Sequence, residues 1–297
     1  MSSTVFTGAA TAIITPFTAD GVDYETFGRL IDFQIEKGIN AIVAAGTTGE
    51  GSTLTDREHE EVIAFCVKRI AGRVPLIAGT GSNNTAHAIE RTKTACSAGA
   101  DAVLLVTPYY NKTTQRGLVA SFAAVADASS VPCILYNVPS RTGLNMLPQT
   151  LAELAKHEKI AAVKEACGSI SQVAKERLLC GDALDIYSGC DDQIVPTLSL
   201  GGKGVISTVG NIVPREMAQM CAKFFAGDVK GAAELQLKLL SLMNQTMIET
   251  NPIPVKAACA AMGFGAYILR LPLVEMEEGN RQKLLQLMRE AGLEVKA

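Results

Sequence analysis

Eight short apolar runs recur in the first 207 residues of this 297-residue chain, and they limit its possible folds more than any other feature. They are 11–15 (TAIIT), 41–45 (AIVAA), 75–79 (PLIAG), 102–106 (AVLLV), 132–136 (PCILY), 160–164 (IAAVK), 184–187 (LDIY) and 204–207 (GVIS). They lack the apolar–polar alternation of a strand with one wet face. Near-continuous apolar strands belong to parallel sheets covered on both faces.

Helical stretches separate the runs. Residues 23–38 start at Asp23, carry Tyr24, Phe27, Leu30, Ile31 and Ile35 on one face, and stop at Gly38. Residues 55–71 open with Thr55 and Glu58, a capping box, and set Val62, Ile63, Cys66, Val67 and Ile70 on one face. Residues 85–98 and 114–128 behave similarly, and a later helix begins near Pro148. Eight strand–helix units predict a closed (β/α)8 barrel. The competing arrangement, an open doubly wound sheet, usually has fewer strands. Past Gly210 only helices are expected. The chain is therefore read as a barrel over 1–213 carrying the active site and a helical C-terminal extension over 214–297.

Composition narrows the function. A hydrophobic share of 48% with 19% charged residues fits a packed core. The formal charge of −3 offers no electrostatic footprint for nucleic acid or an anionic membrane. The eight cysteines form no CxxC pair and lie mostly in apolar stretches, so they read as reduced, buried thiols. MSSTVFTGAA has neither the basic start nor the apolar run of a signal peptide, and no stretch reads as a membrane span. A cytoplasmic location is expected.

In a parallel barrel the chemistry sits at the C-terminal ends of the strands. Lys164 closes the run Ile160, Ala161, Ala162, Val163, so its stem starts in an apolar layer. Lost hydration favours the neutral amine, which can attack a carbonyl and form an imine. A lone strand-end lysine more often snorkels to the rim or pairs with a neighbour such as Glu165, but the other strand ends alter that weighing. Tyr136, Tyr110 and Thr47 could pass protons. Each alone is more readily an ordinary rim residue than a catalytic one. Thr47, Thr48 and Gly49 offer amide and hydroxyl donors for a carboxylate, or form a plain turn. Arg141, between Pro139 and Gly143, could grip a second carboxylate or stay solvated.

Other motifs carry less. Gly79-Thr80-Gly81 lacks the third glycine of a dinucleotide fingerprint, and there is no P-loop. His59, His87 and His157 form no metal pair, and His59 and His157 read as solvated helix residues. Asp191 and Asp192 read as an N-terminal cap rather than a cation site. No metal and no cofactor is expected.

Together the segments GTTGE (46–50), AGTGSNNT (78–85), TPYYNKTTQ (107–115), YNVPSRTG (136–143), VKEA (163–166), YSGCDD (187–192), GVIS (204–207), NPIPVK (251–256) and LRLPL (269–273) resemble the dihydrodipicolinate synthase family. The resemblance spans nearly the whole chain. GTTGE and the strand-end lysine are shared with the wider pyruvate-lyase superfamily, whereas YNVPSRTG is more specific. The resemblance implies a lyase that condenses pyruvate with L-aspartate-4-semialdehyde to 4-hydroxy-tetrahydrodipicolinate, early in diaminopimelate and lysine biosynthesis. It implies an imine on Lys164 and a proton relay through Tyr136, Thr47 and Tyr110, with Tyr110 reaching a neighbouring subunit. Thr47 and Thr48 would hold the pyruvate carboxylate and Arg141 that of the semialdehyde. The carbonyls of Gly189 and Ile206 would line the pocket.

The resemblance further implies self-association, as at least a dimer and commonly a homotetramer. It also implies a degenerate allosteric lysine site. His59, Asn83 and Tyr109 fit the family pattern there. His87 stands where an acid usually meets the lysine amine, and Asp56 replaces a histidine, so weak lysine feedback is expected. Two rival readings are another pyruvate-dependent aldolase, such as N-acetylneuraminate or sugar-acid lyase, and a non-catalytic ligand-binding barrel.

Overall fold

A computed structural model describes residues 4–295 of the chain. The main strands are β1 (Gly8–Ala12), β2 (Ala41–Ala44), β3 (Leu76–Gly79), β4 (Ala102–Val106), β5 (Cys133–Asn137), β6 (Ile160–Glu165), β7 (Asp185–Ser188) and β8 (Gly204–Ser207). Each pairs in parallel with the next, and β8 pairs with β1, so the expected eight-stranded barrel closes.

The first strand starts three residues before the apolar run 11–15 and shares only Thr11 and Ala12 with it. Two glycines decide this: Gly8 and Gly204 are register partners, and a side chain on Gly204 would collide with the Gly8 carbonyl. The seam between β1 and β8 closes there because Gly204 carries no Cβ, while a Cβ on Gly8 would collide with the Asn40 side chain. The run then leaves the ladder, because the Ile14 amide donates to Asn211 Oδ1 at 3.0 Å instead of to a strand. Ile13 still donates its amide to the Val43 carbonyl at 3.0 Å, and both isoleucines stay buried.

Helices α1 (Tyr24–Glu36), α2 (Asp56–Ile70), α3 (Thr85–Ala98), α4 (Gln115–Asp127), α5 (Pro148–Leu154), α6 (Ile170–Cys180) and α7 (Ile194–Ser199) follow the first seven strands. The capping box at Thr55 and Glu58 forms as its sequence predicts. The core has two parts. One fills the space between the strands and these helices. The other fills the bore with Ala10, Val43, Ile77, Leu104, Ile134, Ala162 and Ile206. Tyr187 closes the N-terminal end, stacked on Phe6 at 4.2 Å and donating its hydroxyl to the Phe6 carbonyl at 2.7 Å. The opposite end opens into a cavity.

The chain continues through α8 (Pro214–Phe225), which packs on β1, and α9 (Val229–Gln245), which packs on α8. Then come α10 (Ile253–Ala261) and α11 (Glu278–Glu290). This segment is locked to the loop after β2 by charge. Lys256 Nζ meets Glu50 Oε1 at 2.5 Å with both side chains almost fully buried. Arg270 donates its amide to Glu50 Oε2 at 3.0 Å and its guanidinium to Glu58. Removing one partner of so buried a pair typically costs about 3–5 kcal/mol, so the loop that carries Thr47 and Thr48 is held firmly.

Candidate active site

Parallel pairing of β5 with β6 sets Tyr136 opposite Lys164. Both side chains point into the bore, where each is less than a tenth exposed. Lys164 Nζ lies 4.4 Å from the centroid of the Tyr136 ring. Burial lowers the Lys164 amine from 10.5 to about 8; Asp191 and Cys190 pull it back up, while Arg141 pushes it further down. Burial pushes the Tyr136 phenol up to about 12, opposed by Arg141 and by the hydroxyl of Thr47. At neutral pH the phenol is therefore a proton donor, and a usable fraction of the lysine is neutral.

Above this pair opens a cavity of about 260 Å³ at the C-terminal mouth of the barrel. Thr47, Thr48, Arg141 and Gly189 line it with Lys164 and Tyr136. Arg141 sits on a helical turn, Pro139–Thr142, that ends at Gly143 with φ +65°. Its Nη2 donates to the Asn251 carbonyl at 2.9 Å. Thr48 Oγ1 accepts from Asn251 Nδ2 at 2.9 Å. Gly189 is required by close approach: a Cβ there would press on Ala166 and on the Lys164 stem.

Two residues singled out from sequence lie apart from this group. Ile206 is fully buried in the bore and does not line the cavity. Tyr110 is 92% exposed, with φ +67°, and points away from the cavity lining.

A second groove of about 300 Å³ shares Gly46, Thr47, Tyr136 and Arg141 with the first and runs out past Gly51, Ser52, Arg91 and Tyr109. Beside it Asn83 donates to the Tyr109 carbonyl at 3.3 Å. His87 and Arg91 both engage Asp56, each at 2.8 Å. His59 corrects its reading as a solvated residue. It is buried, with Nε2 2.7 Å from the Gly79 carbonyl, and burial lowers its pKa, so the ring is a neutral donor there. Its spacing to Val62, Ile63 and Cys66 on the apolar face of α2 carried that signal.

Sequence reasoning did not place Asn251, Met243, Asn244 or Met247 at the site, although all four line the cavity. They come from the helical segment, some 200 residues along the chain from Thr48. No periodicity reports such a contact. Asp191 is the N-terminal cap the sequence suggests, but of a remote turn: Oδ2 accepts from Thr208 N and Val209 N at 3.1 and 2.8 Å. Among the described residues no three His, Cys, Asp or Glu side chains converge to hold a metal ion.

A sequence profile of the dihydrodipicolinate synthetase family matches residues 5–291. The chain belongs to this family. It is 54% identical over 289 residues to the 4-hydroxy-tetrahydrodipicolinate synthase of Clostridium perfringens strain SM101, covering 97% of this chain and 99% of that one. Its fold superposes on the crystal structure of dihydrodipicolinate synthase from Aquifex aeolicus with a TM-score of 0.96 at 43% identity, covering 98% and 100% of the two chains. The chloride-inhibited dihydrodipicolinate synthase of Acinetobacter baumannii, solved in complex with pyruvate, gives a TM-score of 0.95 at 42% identity, with 98% and 100% covered. The family membership expected from the nine segments and the barrel expected from the eight apolar runs are both found.

Proposed function

We propose that this lyase condenses pyruvate with L-aspartate-4-semialdehyde to 4-hydroxy-tetrahydrodipicolinate, in the route to diaminopimelate and lysine. The observation that carries the reading is Lys164: a buried amine with its pKa lowered to about 8, at the floor of a cavity that also presents a phenol and a guanidinium.

The neutral Lys164 amine attacks the pyruvate ketone, and the carbinolamine loses water to give an imine. Tyr136 protonates the departing oxygen, and the relay through Thr47 and Tyr110 returns the proton. Loss of a methyl proton gives an enamine, whose carbon attacks the aldehyde. The amino group of the second substrate then closes on the imine carbon and releases Lys164. Thr47 and Thr48 hold the pyruvate carboxylate, Arg141 holds that of the semialdehyde, and the carbonyl of Gly189 borders the imine.

The chain works as at least a dimer, and as a homotetramer of two such dimers. Tyr110 supports this, because a relay residue that leaves its own cavity so exposed can serve only a neighbouring subunit. The cytoplasm suits eight cysteines that are all unpaired. No helix among the described residues is long and apolar enough to cross a membrane.

The test is borohydride reduction in the presence of pyruvate, followed by peptide mass mapping. The expected adduct is on Lys164 and is absent in K164A. An unmodified Lys164 would overturn the reading.

A further inference from the structure

Asn251 lies between α9 and α10, almost fully buried, and lines the cavity. It joins the two ends of the site. Its Nδ2 donates to Thr48 Oγ1, and its backbone carbonyl accepts from Arg141 Nη2, both at 2.9 Å. Its remaining polar atom, Oδ1, is buried without a partner. A buried amide oxygen that lacks a donor is rare in a native fold and calls for an explanation.

The two substrates differ in what they could supply. Pyruvate has a carboxylate, a ketone and a methyl group, and no donor. Aspartate-4-semialdehyde carries an ammonium on the same carbon as its carboxylate. If the Arg141 guanidinium grips that carboxylate, the ammonium falls beside the residue that holds the guanidinium.

We infer that Asn251 determines specificity for the second substrate, its Oδ1 accepting a hydrogen bond from the α-ammonium of an amino aldehyde whose carboxylate Arg141 grips. The inference rests on the role given to Arg141 above. A neutral amide suits this position better than a carboxylate. A carboxylate would bind the ammonium more tightly but raise its pKa, and ring closure needs the free amine as nucleophile.

The experiment compares wild type, N251A and N251D with aspartate-4-semialdehyde as substrate and succinic semialdehyde, the same chain without the amine, as competing ligand. The adduct of pyruvate on Lys164 reports an intact site. N251A is expected to raise the KM of aspartate-4-semialdehyde about 10- to 100-fold and to change the inhibition constant of succinic semialdehyde far less. N251D is expected to keep a low KM and lose kcat. Equal weakening of both aldehydes in N251A would leave Asn251 a mere support for Arg141 and overturn the inference. Should N251A fail to fold, an N251D enzyme with unchanged kcat and KM overturns it equally. A wild-type enzyme that forms the pyruvate adduct but never consumes aspartate-4-semialdehyde would instead defeat the proposed function, and this inference with it.

Discussion

Lys164 Nζ stands over the face of the Tyr136 ring, 4.4 Å from its centroid, with the two residues opposite each other on neighbouring strands. The ring face attracts an ammonium, while burial opposes it. Burial wins, and the balance sets the pH at which the amine becomes a nucleophile.

The initial rate of pyruvate-dependent adduct formation is expected to rise with pH through a midpoint of about 8, because the neutral amine is the reactive form. An amine at its ordinary value of 10.5 would still be rising well above that. Asp191 favours the ammonium, so D191N is expected to lower the midpoint further. A midpoint that stays fixed or climbs in D191N would remove Asp191 from the electrostatics of the site. The measurement is mass-spectrometric adduct yield against time across the pH range.

Tyr110 and Tyr136 can be assigned to one site or two by mixing variants. Y110F and Y136F are each expected to lose about 10²–10⁴-fold in kcat, the usual range for a lost proton donor. If Tyr110 serves a neighbour, a mixed dimer has one site with both hydroxyls and one with neither. Subunit exchange between the two inactive proteins should then restore activity. No recovery after confirmed exchange would place both tyrosines in the same subunit's site.

Behind the catalytic strand lies a buried acid pair. Glu176 is fully buried beside Glu165 and is raised well above the usual carboxylate range by burial and by the charge of Glu165. The folded protein therefore keeps a proton that the unfolded chain releases above about 4.5. The unfolded state binds fewer protons there, so stability falls as pH rises from that value. E176Q removes the ionisation and keeps an acceptor for Gln172 Nε2, now 3.0 Å from Glu176 Oε1. Its melting temperature is expected to exceed that of wild type increasingly towards alkaline pH. Each kcal/mol relieved is worth about 2–4 °C in a domain of this order. Parallel melting curves against pH would refute this.

L-Lysine is expected to inhibit weakly, with half-inhibition above about 1 mM. The groove that passes Tyr109 presents the Arg91 guanidinium, and His87 is turned to Asp56 instead of offering an acid to a lysine ammonium. H87E is expected to strengthen inhibition. Tight inhibition of the wild-type enzyme by L-lysine would count against a degenerate site.

Much of the barrel was legible because its signals are local. Strands buried on both faces read as apolar runs, and Lys164 stood out as a charge ending one of them. The first strand was read three residues late because its start is set by two glycines 196 residues apart that pair at the seam, which no window of sequence contains. His59 was misread because its polarity outweighed the face of α2 on which it sits.

The amino-acid sequence alone determined the barrel, the lysine that ends its sixth strand and the family, since each depends on residue type and near-neighbour spacing. Only the tertiary structure decided which groups share the cavity. Asn251 touches Thr48 and Arg141 from a helical segment more than a hundred residues beyond either, and Tyr110 leaves the cavity altogether. Such contacts follow from closing the barrel and docking the last helices over its mouth, where the energy comes from burying whole faces rather than from any pair of residues.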